Sequence, residues 1–264
     1  MTDIQGQVLY ENRALDSDAV VTYSGTPVSG FDFQYSYDWR DFTLFAVDDS
    51  ETNVNLDIEL PSGGTIDNVG LFVKPYTGSS DATIELFYES APAVFTSIDS
   101  WTINENGLLI QEDISSTVIA AGRKLRWQIT TDDEQLFIRN LAAGERLDFP
   151  IGQRDGLKPP TLNGDIVVNN KIAENGSIIG RSIRRIDRLS TIMLEYLSES
   201  FVRNEWEVFT LEANIHAFYY RWDKVFHGTE ATFAIAESVP RPENMMPPPL
   251  MSASLPLRNL VVVN

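Results

Sequence analysis

Val54-Asn55-Leu56-Asp57-Ile58-Glu59-Leu60 decides the fold class. Its apolar residues fall at every second position, with polar ones between. Successive side chains of an extended chain point to opposite faces, so this stretch is a strand with one buried and one wet face. The same reading extends outward to Val69–Val73, Ile84–Tyr88 and Leu125–Thr130. Gly63-Gly64 and Gly78-Ser79-Ser80 punctuate these runs. Asn106-Gly107 stands between Trp101–Asn104 and Leu108–Gln111. Asn-Gly accepts two successive positive φ angles, so this segment predicts a hairpin. Short strands with such turns predict a β-sandwich or jelly roll.

Further along, the pattern changes. Residues 150–164 hold Pro150, Gly152, Gly156, Pro159, Pro160 and Gly164. Adjacent prolines resist both helix and central strand. We read a connector here, with a jelly-roll domain over residues 1–155 and a second module over 156–264. The second module opens on a predicted hairpin, Ile166–Ala173 and Ile178–Ile186, around Asn175-Gly176. Thr191–Tyr196 alternates again. Val202, Trp206, Phe209 and Ala213 then follow at spacings that place them on one helical stripe. The predicted helix covers about 199–213, with Ser198 as N-cap and Glu199 favourable against the helix dipole. His216–Trp222, Thr232–Ala236 and Ser252–Leu260 read as strands, and Arg241–Pro249 as an extended loop. The expected fold class is mainly β: a jelly roll followed by a small β-sandwich with one helix.

Charge divides the chain the same way. The formal net charge is −18, and residues 1–150 hold 25 acids against 8 bases, a net of −17. The first domain should therefore face water and repel its own copies, while the near-neutral second module can pack against neighbours. Phosphate binding needs positive surface, so nucleic acid is excluded as a partner of residues 1–150. There is no cysteine, which excludes disulfides and Cys-ligated metal sites and suits a reducing cytoplasm. Met1-Thr2-Asp3-Ile4 carries neither a basic region nor an apolar run, so no signal peptide is predicted. No apolar stretch reaches membrane-spanning length.

Catalytic motifs are absent: no phosphate-binding loop, no nucleophile elbow and no zinc-binding HExxH. His216 and His227, the two histidines, lack the spacing of a helical metal pair. Asp48-Asp49 with Glu51, and Asp132-Asp133-Glu134, could offer oxygen ligands to Ca²⁺. Neither matches a calcium loop, and a solvated turn is the reading adopted for both. No catalytic residue, metal site or cofactor is expected. Phe31, Phe33, Tyr35, Tyr37 and Trp39 alternate as on one strand face. They could stack on sugar rings, but a place in the sandwich core is the favoured reading. Arg181, Arg184, Arg185 and Arg188 form a basic run, read as a subunit-interface candidate, since arginine is enriched in such contacts.

Glu174-Asn175-Gly176-Ser177-Ile178-Ile179-Gly180-Arg181-Ser182 resembles a signature of a family of tailed-bacteriophage tail proteins. Phe201-Val202-Arg203, Phe218-Tyr219-Tyr220-Arg221-Trp222 and Leu250–Leu260 are similar to later stretches of that family. Pro256 and the loop Asp223–Gly228 depart from its pattern. The resemblance implies a discoidin-like N-terminal jelly roll and a C-terminal module that builds a ring at the distal tail or baseplate. It implies a non-enzymatic virion protein, assembled in the bacterial cytoplasm, whose partners are its own copies and neighbouring tail proteins. The alternative is a carbohydrate-binding adhesin that grips host polysaccharide through the jelly roll. A depolymerase ranks third and would need two carboxylates facing each other across a groove.

Overall fold

The computed structural model describes residues 5–38, 43–48, 50–75, 82–103, 107–131, 135–153, 159–160, 165–172, 174, 177–246 and 249–262. In chain order its strands begin with β1 (Gln7–Leu9), β2 (Val20–Tyr23), β3 (Phe45–Val47), β4 (Asn53–Leu60), β5 (Gly64–Pro75) and β6 (Thr83–Ala91). Next come β7 (Val94–Thr102), β8 (Leu108–Ile119), β9 (Arg123–Thr130), β10 (Leu136–Gly144) and β11 (Arg146–Asp148). The rest are β12 (Asp165–Ile172), β13 (Ile178–Asp187), β14 (Leu189–Ser198), β15 (Phe218–Arg221), β16 (Ala231–Ala236), β17 (Glu243–Asn244) and β18 (Leu250–Val262). The protein is mainly β, as expected, with one short helical segment.

Two antiparallel sheets build the sandwich, one ordered β3-β10-β5-β8 and the other β2-β4-β9-β6-β7. Val54, Leu56, Ile58 and Leu60 point inward and are all buried. Leu56 pairs with Trp127 of β9, and Trp127 pairs in turn with Leu86 of β6. These side chains meet Ile66, Val69, Leu71 and Val73 of β5 across one continuous core. Burying each such side chain contributes about 1.5–3 kcal/mol, which makes the period-two pattern the main determinant of the sandwich. On the wet face, the Arg126 guanidinium holds Asp57 by two hydrogen bonds of 2.7 and 2.8 Å and lies over the Phe95 ring. That pairing explains how an aspartate on an outer face is itself buried.

Two local expectations are corrected. β7 pairs with β6 and β8 with β5, so the strands on either side of Asn106-Gly107 belong to different sheets and do not form a hairpin; Asn106 lies outside the described residues. Gly107 does take a positive φ of 88°, but the turn preference leaves open which strand each arm pairs with. The tight hairpin lies instead between β6 and β7. There Ala93 takes φ 61° and its N–H donates to the Glu89 carboxylate at 2.6 Å. The aromatic run is no strand: Phe33–Ser36 is a 3-10 turn, capped by Asp32. Its rings pack at varied angles, with Phe33 against Tyr23, Tyr37 and Phe45 at the side of the sandwich. Trp39 lies outside the described residues.

A further sheet of seven strands is ordered β11-β1-β15-β16-β18-β14, with β17 beside β18. β1 and β11 come from the first 150 residues, so this sheet draws on both sides of the connector. β12 and β13 form a separate hairpin, paired from Asp165↔Asp187 to Ile172↔Ile178. The helical segment starts where expected, with the Phe201 N–H donating to Ser198 Oγ at 3.2 Å. It runs through α1 (Glu199–Phe201), a π turn (Val202–Trp206) and α2 (Glu207–Ala213). Val202, Trp206, Phe209 and Ala213 are all buried, against Val8, Phe218, Tyr220 and Leu255 on one face of the sheet.

Alternation along β15 then sets the domain arrangement. Phe218 and Tyr220 face the helix, while Tyr219 faces the other way, with Leu9 and Phe233. This second face packs on Phe72 and Leu109 of the sandwich. The seven-stranded sheet is therefore covered by the helix on one side and by the sandwich on the other.

Candidate functional site

The junction of sandwich and sheet holds a cavity of about 190 Å³. Three stretches distant in sequence build it. The first follows β1, from Leu9 to Asp16. The second is the kink of β10, Asn140 to Ala142, and the third runs from the end of α2 into β15, Glu212 to Tyr219. Tyr37 and Asp38, just after the 3-10 turn, complete the wall.

The kink is a β-bulge. Arg139 pairs with Phe72 but Ala142 with Gly70, so one extra residue is inserted in β10. Asn140 absorbs it at φ 58°, a conformation that asparagine accepts better than most residues. Two outside groups fix the bulge. Tyr219 donates its hydroxyl to the Asn140 carbonyl at 2.6 Å. Asn12 donates Nδ2 to the Leu141 carbonyl at 3.0 Å, and its Oδ1 accepts from the N–H groups of Ala14 and Ala143, both at 3.2 Å. Asn12 thereby ties the N-terminal turn to the sandwich rim.

Polar capacity in the wall is left over. Asn140 is 2% exposed, and neither its Oδ1 nor its Nδ2 has a partner among the described residues. His216 Nδ1 is likewise buried and unpartnered. A buried amide without partners costs free energy, and nearly all such groups in native proteins are satisfied. Around them stand Glu11, Asp16, Asp38 and Glu212. Arg13 reaches Glu11 at 3.1 Å and Asp16 at 3.4 Å. Burial nevertheless raises the Asp16 carboxyl, against the pull of Arg13. The Tyr10 hydroxyl is pushed up to about 12, first by burial and then by Glu11, Glu145, Asp67 and Glu205. The wall thus carries a negative field over an apolar floor that includes Leu9, Ala142 and Phe233.

Sequence reading nominated none of this cavity. His216 and Tyr37 were noticed, but for other reasons, and the structure brings them together here. His227 lies elsewhere, stacked on Trp222 at 4.7 Å with Nδ1 3.1 Å from Glu230. Asp48 and Glu51 accept from Ser50 and from the Thr26 N–H, as in an ordinary turn. Asp49 and Asp132-Asp133-Glu134 lie outside the described residues. Among the described residues no group of three metal-ligating side chains occurs. Arg181, Arg184 and Arg185 sit on β13. Arg188 follows it, and its carbonyl accepts from the Asn259 backbone and side chain at 2.9 and 3.0 Å. Among the described residues no helix is long and apolar enough to cross a membrane.

No family model matches this chain, and no curated protein matches it. Among solved structures it is similar to a GH29 fucosidase from Ruminococcus gnavus, at 18% identity and TM-score 0.45, over 53% of this chain and 28% of that one. It is also similar to CBM32-1 of a family 31 glycoside hydrolase from Clostridium perfringens, at 14% identity and TM-score 0.41, over 52% of this chain and 99% of that one. A chitosan-binding module from Paenibacillus sp. IK-5 is similar at 18% identity and TM-score 0.41, over 51% and 99%. At these identities the likeness is of fold alone.

The expected role as a distal-tail or baseplate ring component is corrected. The similar folds come from carbohydrate-binding modules and glycoside hydrolases, and no phage-tail family model matches. The physical reason lies in the words that carried the resemblance. Ile178–Ser182 opens the second strand of a β-hairpin, Asn175 and Gly176 lie outside the described residues, and Phe218–Arg221 is a buried strand. Turn chemistry and burial ask for such residues in many unrelated chains.

Proposed function

We propose that this chain is a non-catalytic carbohydrate-binding protein and that a sugar ring occupies the junction cavity. One observation carries the reading: the Asn140 amide, buried and unpartnered in the wall of a cavity of about 190 Å³. An amide offers a donor and an acceptor side by side, the pattern that two neighbouring hydroxyls of a sugar require. The apolar floor and the Tyr37 ring suit the C–H faces of a pyranose, as in other mostly apolar pockets with a few placed polar groups. Discrimination would follow from the same feature. A site built to hydrogen-bond hydroxyls is left with unpaired groups when a ligand lacks them.

Calorimetric titration with monosaccharides, preceded by a glycan array, tests the proposal. Asn140→Gly keeps the positive φ and deletes the amide. The wild type should bind a sugar, and the variant should bind it at least about tenfold more weakly, the loss of one good hydrogen-bonding group. No binding across the array, or equal binding by a folded Asn140→Gly protein, overturns the proposal. Release of reducing sugar from a bound oligosaccharide would refute its non-catalytic part.

A further inference from the structure

We infer that His216 is the second hydrogen-bonding group of the junction cavity, gripping the bound sugar from the sheet side while Asn140 grips it from the sandwich side; the inference rests on the carbohydrate reading above. The chain has two histidines. His227 is paired, with its Nδ1 3.1 Å from Glu230 and its ring stacked on Trp222. His216 lines the cavity instead, and its Nδ1 is buried with no partner among the described residues. Its backbone is fixed on both sides. Upstream, the His216 N–H donates to the Glu212 carbonyl at 2.8 Å, just past the end of α2. Downstream, Phe218 and Tyr219 are buried on opposite faces of β15. With the backbone pinned, only the ring's own rotation is left to order when a hydrogen bond forms.

Cavity size makes the two groups act on one ring. An apolar cavity of about 150 Å³ holds benzene, and pockets for drug-sized ligands start near about 300 Å³. At about 190 Å³ this one takes a single six-membered ring with its hydroxyls. Asn140 stands on the bulge of β10, and His216 on the segment that leads into β15. A ring between them is held by the sandwich and the sheet together. The amide offers a donor and an acceptor to neighbouring hydroxyls. The imidazole nitrogen donates or accepts once, according to its tautomer, and so reads a third oxygen. A buried polar atom left unpaired costs more than a hydrogen bond gains. The sugar that satisfies the site therefore carries a free hydroxyl pair and one further free oxygen, and removing any of the three is penalised.

The test titrates the whole chain with the methyl glycosides of glucose, galactose and mannose, and with each monodeoxy form of the one that binds best. His216→Phe keeps a flat ring and deletes the nitrogen, whereas His216→Asn returns a polar atom near the Nδ1 position. His216→Phe should bind about tenfold more weakly than wild type, and His216→Asn should recover most of the loss. One deoxy sugar should bind wild type about tenfold more weakly than its parent does, yet bind His216→Phe as well as the parent does, which couples that hydroxyl to His216. A different deoxy sugar should behave in this way with Asn140→Gly. Thermal melting shows which variants are folded, and His216→Ala repeats the comparison if His216→Phe does not fold. If a folded variant without the nitrogen binds as wild type does, the His216 assignment is wrong and the carbohydrate reading stands on Asn140. If that variant weakens the parent and every deoxy sugar alike, the residue only shapes the cavity and the assignment is again wrong. If neither these glycosides nor the glycan array yields a ligand for the wild type, the carbohydrate reading fails and the His216 assignment falls with it.

Discussion

Gly70 shows how much one residue can fix. It faces Tyr219 across the junction, and a Cβ built on it would press into the Tyr219 ring, inside the 3.0 Å that real Cβ atoms keep. Tyr219 is fully buried and holds the Asn140 carbonyl, so its ring cannot swing away without releasing the bulge. Gly70→Ala should cost about 1–3 kcal/mol through overpacking. Since 1 kcal/mol shifts the midpoint of a chain this size by roughly 2–4 °C, thermal melting should fall by several degrees. A melting temperature equal to wild type would show that the sheets are not in this contact. The glycine has a negative φ, so the constraint comes from the neighbour's ring and not from the backbone.

Among the elements, the helical segment is the most legible from sequence. Its Ser198 cap and buried stripe follow directly from residue type and spacing. The stripe also survives a π turn at Val202–Trp206, a feature no spacing rule announced. Trp206 is 1% exposed and packs near Phe149 and Phe209, with ring centroids at 6.2 and 5.4 Å. Trp206→Ala should destabilise by about 3–5 kcal/mol, as for other large-to-small core changes. Urea unfolding of the two proteins checks this, and a change below ~1 kcal/mol would contradict the packed-core assignment. The strands show the limit of the same reasoning. Alternation identified β4, β5, β6 and β9 as strands, yet partner choice at Asn106-Gly107 went another way. Pairing is settled by which sheet completes the core, and a turn dipeptide does not carry that information.

At the scale of the molecule, acidity sets the response to pH. Asp16, Asp67, Glu112 and Glu145 are all raised above ordinary carboxylates, in each case chiefly by burial. Their folded-state pKa lies above the unfolded one, so on acidification the native state takes up protons first. Stability must then rise as pH falls from neutral through the raised values. The gain is complete by the ordinary carboxylate range near about 4. Relief of the net −18 charge acts in the same direction. Urea midpoints should therefore increase from pH 7 toward pH 5, and added salt at pH 7 should imitate part of the increase. A steady loss of stability over that interval would show that these carboxylates are held by partners and not strained by burial.

The sequence by itself determined what depends on neighbours along the chain: the mainly β class, the strands with one wet face, the helix with its cap, and the charge of the first 150 residues. Periodicity, capping and composition are local properties, and burial enforces them wherever the strands end up. Only the tertiary structure decided that β1 and β11 join β15 in one sheet, and that Tyr219 turns to the sandwich while its neighbours turn to the helix. The cavity follows from those two facts. Its walls come from residues near 10, 140 and 215, and its key group, Asn140, owes its unpaired amide to a one-residue bulge. Contacts between distant segments depend on how whole sheets pack, and no local pattern in the chain encodes a site assembled that way.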